Sequence, residues 1–208
     1  ERALKQRNSL LKSRAPESSL RSWSEHLATF GGELIAGRIK LINQVEPLFQ
    51  TAYKNLSAKK LANLGYKSSS PNPTTDKEVN RESILKAVDE VRSQEIERGI
   101  SLVGPHRDDL LLNLGDHPVK SYASHGESWS IALALRLASY QLFINEGANP
   151  ILILDDVFSE LDEGRREKLL KIADSAKQTF ITVAVENDLP KGIDGSKFRV
   201  ELGKVVAL

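Results

Sequence analysis

Ile151-Leu152-Ile153-Leu154-Asp155-Asp156 is the stretch whose reading decides the fold: four apolar residues run straight into two adjacent carboxylates. A short unbroken apolar run reads as a strand of a parallel sheet covered on both faces. Ligands of open α/β sheets bind beyond the carboxyl ends of such strands, so the two acids emerge where a ligand would lie. Neighbouring strand residues point to opposite sides, which suits Asp155 and Asp156 to different tasks, one toward a hydrated divalent cation and the other toward a water molecule. Taken alone, the pattern fits equally well an apolar strand that ends in Asp before a turn.

Downstream, Val157-Phe158-Ser159-Glu160-Leu161-Asp162 leads into an amphipathic stretch over Glu163 to Ala176, then a β-branched strand over Thr179 to Val185. Strand, helix, strand implies a parallel pair joined by a right-handed crossover. Ser159 and Asp162 also have the residue types of a helix N-cap. Upstream, Ser124-His125-Gly126-Glu127-Ser128 opens a helix over Ser128 to Phe143 that is apolar nearly all round. A helix start presents unpaired N–H groups and a positive dipole end, and Gly126 lets the backbone approach a phosphate closely. The same residues read as a capping box, Ser124 with Glu127 three positions later.

Farther out, Asp109 to Leu114 and Val119 to Ala123 flank a Gly-Asp turn and predict a hairpin. The spacing predicts a helix over Lys77 to Arg98, with Leu85, Val88, Arg92 and Ile96 on one face and Gly99 as a left-handed cap. The Ser/Pro/Thr-rich stretch Ser68 to Thr75 reads as a loop and an internal boundary, after a short strand over Leu61 to Lys67. Before it, Leu27, Phe30, Leu34, Leu41, Val45, Leu48 and Ala52 form the stripe of one long helix over about Leu20 to Leu56, in which Pro47 is a candidate kink. Arg2 to Ser13 reads as a short helix turned back by the following Pro/Ser segment.

The 208 residues carry a net charge of +1 with 27% charged and 40% hydrophobic residues, enough to bury a core but with no global field to draw nucleic acid. No Cys occurs, which excludes disulfides, thiolate metal sites and a cysteine nucleophile and suits a reducing cytoplasm. The longest near-apolar run, Ile131 to Phe143, is shorter than the roughly 20 residues of a membrane helix. The sequence opens Glu-Arg-Ala-Leu-Lys-Gln-Arg with no initiator Met or secretory pattern, and reads as the middle of a longer protein. His106, His117 and His125 are spaced unlike a metal site.

A phosphate-type helix start, a helix, a strand ending in two acids and a Ser-x-Leu-Asp turn follow one another from Ser124 to Asp162. That order resembles the signature, Walker B and D-loop series of ABC-type ATPases. Gly104-Pro105-His106-Arg107-Asp108-Asp109-Leu110, together with Leu154 to Asp162 and the Lys5-Gln6-Arg7-Asn8 segment, resembles the RecF family. The resemblance implies an α/β fold, the C-terminal lobe of an ABC-type P-loop ATPase head with a mainly α-helical arm. Residues 1–98 would form the arm, or lid, and residues 99–208 the lobe bearing the signature, Walker B and D-loop.

It further implies a cytoplasmic protein of replication, recombinational repair and the SOS response. Its cofactors would be ATP and Mg²⁺, and its partners single-stranded and duplex DNA with junctions, a second copy joined through ATP, and other recombination mediators, with no membrane. Carried over by position, Asp155 would assist Mg²⁺ binding through water, and Asp156 would hold the place of the carboxylate that polarises the attacking water. Ser124, His125, Gly126 and Glu127 would face the partner's ATP, Ser159 and Asp162 would form the D-loop, and Arg107 would be a phosphate or interdomain contact. An Arg beside Asp108 and Asp109 also reads as a salt-bridged turn. Asp156 stands where ABC enzymes usually carry Glu, which suggests slow turnover, and Thr182 to Glu186 lacks the His expected after the next strand.

The phosphate-binding pattern Gly-x-x-x-x-Gly-Lys-Ser/Thr is absent from the 208 residues, so the resemblance implies that these residues alone are inactive. The competing readings are another SMC-like repair ATPase and a repair adaptor with a non-hydrolysing ATP site. DNA-contact candidates on the arm are Lys5, Arg7, Lys12, Arg14, Arg38, Lys40, Lys54, Lys59 and Lys60.

Overall fold

The structure, a computed structural model, describes residues 1–57, 60–185, 188–189 and 193–208, with the backbone alone for Glu160. Lys59 and Glu186 therefore lie outside the described residues. Two compact units make up the chain, one of Glu1–Lys54 with Ala58–Leu142 and one of Asn55–Ser57 with Phe143–Leu208.

The first unit is built on helices α1 (Arg2–Lys12), α2 (Glu17–Leu56) and α3 (Lys77–Arg98). α2 is a single helix of 40 residues that continues through Pro47. Its buried apolar side chains are Leu20, Leu27, Ala28, Ile35, Ala36, Val45, Phe49, Tyr53 and Leu56, whereas Phe30, Leu34 and Leu41 of the expected stripe are 61%, 47% and 51% exposed. Close approach of α3 explains the difference. A Cβ on Gly32 would lie 2.4 Å from the Lys77 carbonyl oxygen, so a small-residue face, rather than the bulkiest apolar one, meets α3. Ala28 and Ile35 pack there with Ile84, Ala87, Val88 and Val103 in one core cluster.

α3 starts at an N-cap, Asp76, whose carboxylate accepts from the Glu78 and Val79 amides, and ends at Gly99 with φ 65°, the left-handed cap expected from sequence. Its buried face is Asn80, Ile84, Ala87, Val88 and Glu95. The expected face, Leu85, Val88, Arg92 and Ile96, is rotated from this one, because a charged residue points inward. The Arg7 guanidinium donates to Glu95 Oε2 at 2.5 Å, to Ser24 Oγ at 2.9 Å and to Ser101 Oγ at 2.7 Å. Glu95 Oε1 accepts the Leu102 amide, and Asn8 Oδ1 accepts both the amide and the hydroxyl of Ser101. Arg7 and Glu95 are fully buried.

Strand β1 (Ala62–Lys67) pairs antiparallel with β2 (Asp109–Leu114), from Ala62 opposite Leu114 to Lys67 opposite Asp109. The expected hairpin partner is reduced to β3 (His117–Pro118), after which α4 (Val119–Tyr122) takes over. Pro118 has no N–H to extend the ladder. The Ser68–Thr75 loop does not divide the chain: it lies within the first unit, with Ser70 buried and Ser69 bonded to Asp108 and Gly104. Serine hydroxyls satisfy the polar groups there, so a loop-like composition makes a clasp. α5 (His125–Asn145) begins three residues earlier than expected.

In the second unit β4 (Leu152–Asp155) and β5 (Thr179–Thr182) are parallel, Leu152 opposite Thr179 and Asp155 opposite Thr182, with α6 (Glu163–Ser175) as the crossover. The expectation of cover on both faces of β4 does not hold within this unit. Leu152 and Leu154 are buried while Ile151 and Ile153 are 54% and 66% exposed. β5 stops at Thr182 rather than Val185, and β6 (Phe198–Glu201) and β7 (Lys204–Ala207) form an antiparallel pair. Among the described residues no helix is long and apolar enough to cross a membrane.

Removing one partner of a buried ion pair strands the other charge. Glu95→Ala or Arg7→Met is expected to lower unfolding free energy by about 3–5 kcal/mol in urea denaturation, and the Arg7→Met/Glu95→Leu double variant to recover most of that loss.

Candidate functional site

The end of β4 delivers Asp155 and Asp156 together, both exposed. Thr182, the last residue of β5, binds them both. Its hydroxyl donates to Asp155 Oδ1 and accepts the Asp156 amide at 3.1 Å, and its carbonyl accepts the same amide. Parallel register places Thr182 opposite Asp155, so this contact was legible in principle from aligned strand ends. Asp155 Oδ2 has no hydrogen bond among the described residues, which leaves an oxygen ligand of the kind a hydrated Mg²⁺ takes. No group of three or more His, Cys, Asp or Glu that could hold a metal occurs among the described residues.

Asp156 adopts φ 49°, ψ 27°, a left-handed conformation that costs most non-glycine residues about 1–2 kcal/mol and that Asp and Asn enter with a smaller penalty. Strain of this kind collects at functional sites. A 3₁₀ turn, Val157–Glu160, follows, and Ser159 Oγ donates to the Asp156 carbonyl at 2.8 Å. Asp162 is the N-cap of α6 and accepts the Arg165 amide at 2.9 Å. Ser159 and Asp162 thus hold the backbone of the turn, with Asp162 alone as the cap. Buried Phe158 and Leu161 anchor the segment.

At the start of α5 the sequence-predicted residues form a reciprocal cap. Glu127 Oε2 accepts from both the amide and the hydroxyl of Ser124 at 2.9 Å, and the Glu127 amide donates to Ser124 Oγ at 3.3 Å. His125 and Gly126 are exposed on the first turn. Lys60 adds what the sequence did not signal: its ammonium meets Glu127 Oε1 at 2.9 Å and lies 4.7 Å from the Tyr122 ring centroid. Tyr122 in turn stacks on His117, centroids 4.3 Å apart. The Ser124 amide, Lys60 and the Ser124 hydroxyl together hold the Glu127 carboxyl down at about 2.

The Gly104–Asp109 turn is fastened from two sides. Arg107 donates through Nε and Nη2 to the Ser101 carbonyl at 3.2 and 3.0 Å, and His106 Nε2 lies 3.2 Å from the same oxygen. The salt-bridged alternative for Arg107 is not what forms, because Asp108 accepts instead from Tyr66 and Ser69. Burial, and then the bond to Asp108, push the Tyr66 phenol up to about 12. Burial also lowers the His106 pKa. Arg38 donates to Tyr66 and to the Pro105 carbonyl. Of the basic residues read as DNA contacts, Arg7 is excluded by burial against Glu95, and Arg38 and Lys60 are engaged locally. Lys5, Lys12, Arg14, Lys40 and Lys54 are exposed.

No family model matches the chain. A curated protein, the DNA replication and repair protein RecF of Streptomyces avermitilis, is 48% identical over 217 residues, which cover 99% of this chain and 58% of that protein. The chain therefore spans under two thirds of the relative's length. The solved structure of the recombination mediator protein RecF with ATP, in the RecFOR pathway, matches 100% of this chain and 56% of its own, with TM-score 0.82 and 25% identity. An Smc head domain with an extended coiled coil, bound to the C-terminal domain of ScpA derived from Pyrococcus furiosus, shares the fold at TM-score 0.51 and 17% identity over 92% of this chain and 41% of that one.

Two measurements follow from this geometry. Asp156→Ala is expected to be less stable than Asp156→Gly by about 1 kcal/mol in urea denaturation, because glycine takes the left-handed backbone without penalty. The Glu127 carboxyl is expected to titrate near pH 2 by NMR. Because its folded pKa lies below the ordinary 4.5, its contribution to stability is complete above that value and is lost as pH falls through about 2.

Proposed function

From a chain that belongs over its whole length to the RecF family, we propose an ATP-binding protein of DNA replication and recombinational repair, with residues 1–98 as the arm and 99–208 as a lobe of the ATPase head. The observation that carries this reading is the end of β4, where Thr182 holds two exposed acids and the second has a strained backbone. Phosphoryl transfer is promoted mainly by positioning and by stabilising spread negative charge, and the Asp155 carboxylate and the Asp156 backbone, both held by Thr182, contribute to the positioning. Asp156 would accept a hydrogen bond from the attacking water and draw off its proton as the water oxygen bonds to the γ-phosphorus and ADP leaves. Asp155, through its Oδ2, would hold a hydrated Mg²⁺, whose charge would offset that of the phosphate oxygens.

Ser124, His125, Gly126 and Glu127 would form the turn that faces ATP held by a second copy, His125 and Gly126 through their amides and Ser124 and Glu127 as the cap that sets them, so that hydrolysis depends on dimerisation. The phosphate loop would come from the part of the relatives' length that this chain does not span, and these residues alone would not turn ATP over. The D-loop residues Ser159 and Asp162 would shape the turn beside the nucleotide. Exposed Lys5, Lys12, Arg14, Lys40 and Lys54 are the candidates for contacts with DNA phosphates, and Arg107 keeps Nη1 for a phosphate or interdomain contact. Partners would be single-stranded or duplex DNA, junctions and other recombination mediators, in a cytoplasmic SOS setting.

In the full-length protein, Asp156→Asn is expected to lower ATP turnover by about 100-fold with DNA present, since a general base contributes about 10²–10⁴. Asn tolerates the left-handed backbone, so the fold is kept. An unchanged rate in a steady-state assay refutes the base assignment. Ser124→Arg is expected to abolish ATP-dependent dimerisation on duplex DNA, read by sedimentation; a dimer indifferent to ATP would instead support an adaptor.

A further inference from the structure

We propose that Lys60 is a positioning residue of the signature turn, neutralising Glu127 so that the first amides of α5, those of His125 and Gly126, can face the triphosphate held by a second copy of this chain while Ser124 and Glu127 keep the cap. The assignment rests on the signature role proposed above for Ser124. Lys60 lies 67 residues upstream of Glu127, just before β1 on the arm side, yet its ammonium is fixed between the Glu127 carboxylate and the face of Tyr122. The two Glu127 oxygens divide their partners: Oε2 takes the Ser124 amide and hydroxyl, and Oε1 takes Lys60.

A carboxylate in the first turn of α5 favours the helix through its dipole. It also places a negative charge where a polyphosphate would arrive, and like charges facing each other across an interface are costly. An ammonium at 2.9 Å cancels that charge for an approaching anion while leaving the cap in place. Bonding to Glu127 raises the Lys60 pKa, and Glu127 titrates near 2, so both groups stay ionised at neutral pH. The pair is also a physical link between the segment entering β1 and the nucleotide-facing turn. As an exposed ion pair it adds little to stability, so its effect belongs to the step in which the second charge arrives.

The test uses the full-length protein, with ATP-dependent dimerisation followed by sedimentation across an ATP titration. Lys60→Ala is expected to raise the ATP concentration needed for dimerisation by about tenfold, since one uncompensated charge then faces the phosphate. Its melting temperature and its binding of ATP as a monomer should be unchanged. Lys60→Arg should restore dimerisation, and Glu127→Gln placed in the Lys60→Ala background should rescue it at least in part, because the charge that Lys60 offsets is gone. Wild-type dimerisation by Lys60→Ala, or no rescue by Glu127→Gln, overturns the assignment. Ser124→Arg run in parallel separates the two claims: if it dimerises normally the signature reading itself falls, and if it alone is defective only the role of Lys60 falls.

Discussion

One buried guanidinium sets the geometry of the first unit. Arg7 bonds to α2 through Ser24, to α3 through Glu95 and to the following segment through Ser101. A charge taken out of water must be met on nearly every side, so the rotation of α3 and the path after Gly99 follow from where Arg7 sits. Ser101 passes the constraint on, because its carbonyl receives Arg107 and lies beside His106. Asp108 then ties the same turn to Tyr66 and Ser69, and Arg38 closes the circuit from α2. Apolar packing fills this frame more than it defines it: α2 and α3 approach closely at Gly31 and Gly32, where there is almost no side chain to bury.

That arrangement explains which parts of the fold were legible in the sequence. Elements bounded by local chemistry are legible. α3, with Asp76 before it and Gly99 after it, has the expected limits, and the β4–α6–β5 crossover follows from pattern alone. Helix faces are less legible, since hydrophobic periodicity assigns Phe30 and Leu34 to a core and cannot foresee Glu95 turned inward by a partner 88 residues away. The apolar run of β4 signals cover on both faces, whereas the second unit supplies it on one. Serine-rich sequence between β1 and α3 suggested a boundary because composition does not reveal which hydroxyls have buried partners.

The candidate site divides in the same way. Residue types and order single out Asp155, Asp156 and Ser124 to Glu127, because each is adjacent in sequence to the element that presents it. The residues that hold them are harder to read for the opposite reason, Thr182 recoverable only by aligning the ends of the two strands and Lys60 not at all. Thr182 lies 26 positions from the backbone amide it receives, and Lys60 lies 67 from its carboxylate. Both are ordinary strand or loop residues until the fold brings them alongside an acid. The ambiguity between phosphate site and cap at Ser124 reflects one set of N–H and O–H donors that any anion can satisfy, and here Glu127 is that anion.

The left-handed backbone at Asp156 also bears on how this position can change over generations. Short polar side chains settle there with least penalty, and a longer acid is disfavoured. Lengthening Asp to the Glu usual in ABC-type enzymes is a small step in sequence but an awkward one in conformation, since the turn after β4 would have to be rebuilt at the same time. The reach of the acid and the shape of the chain beneath it are therefore coupled, and a change in one is felt by the other.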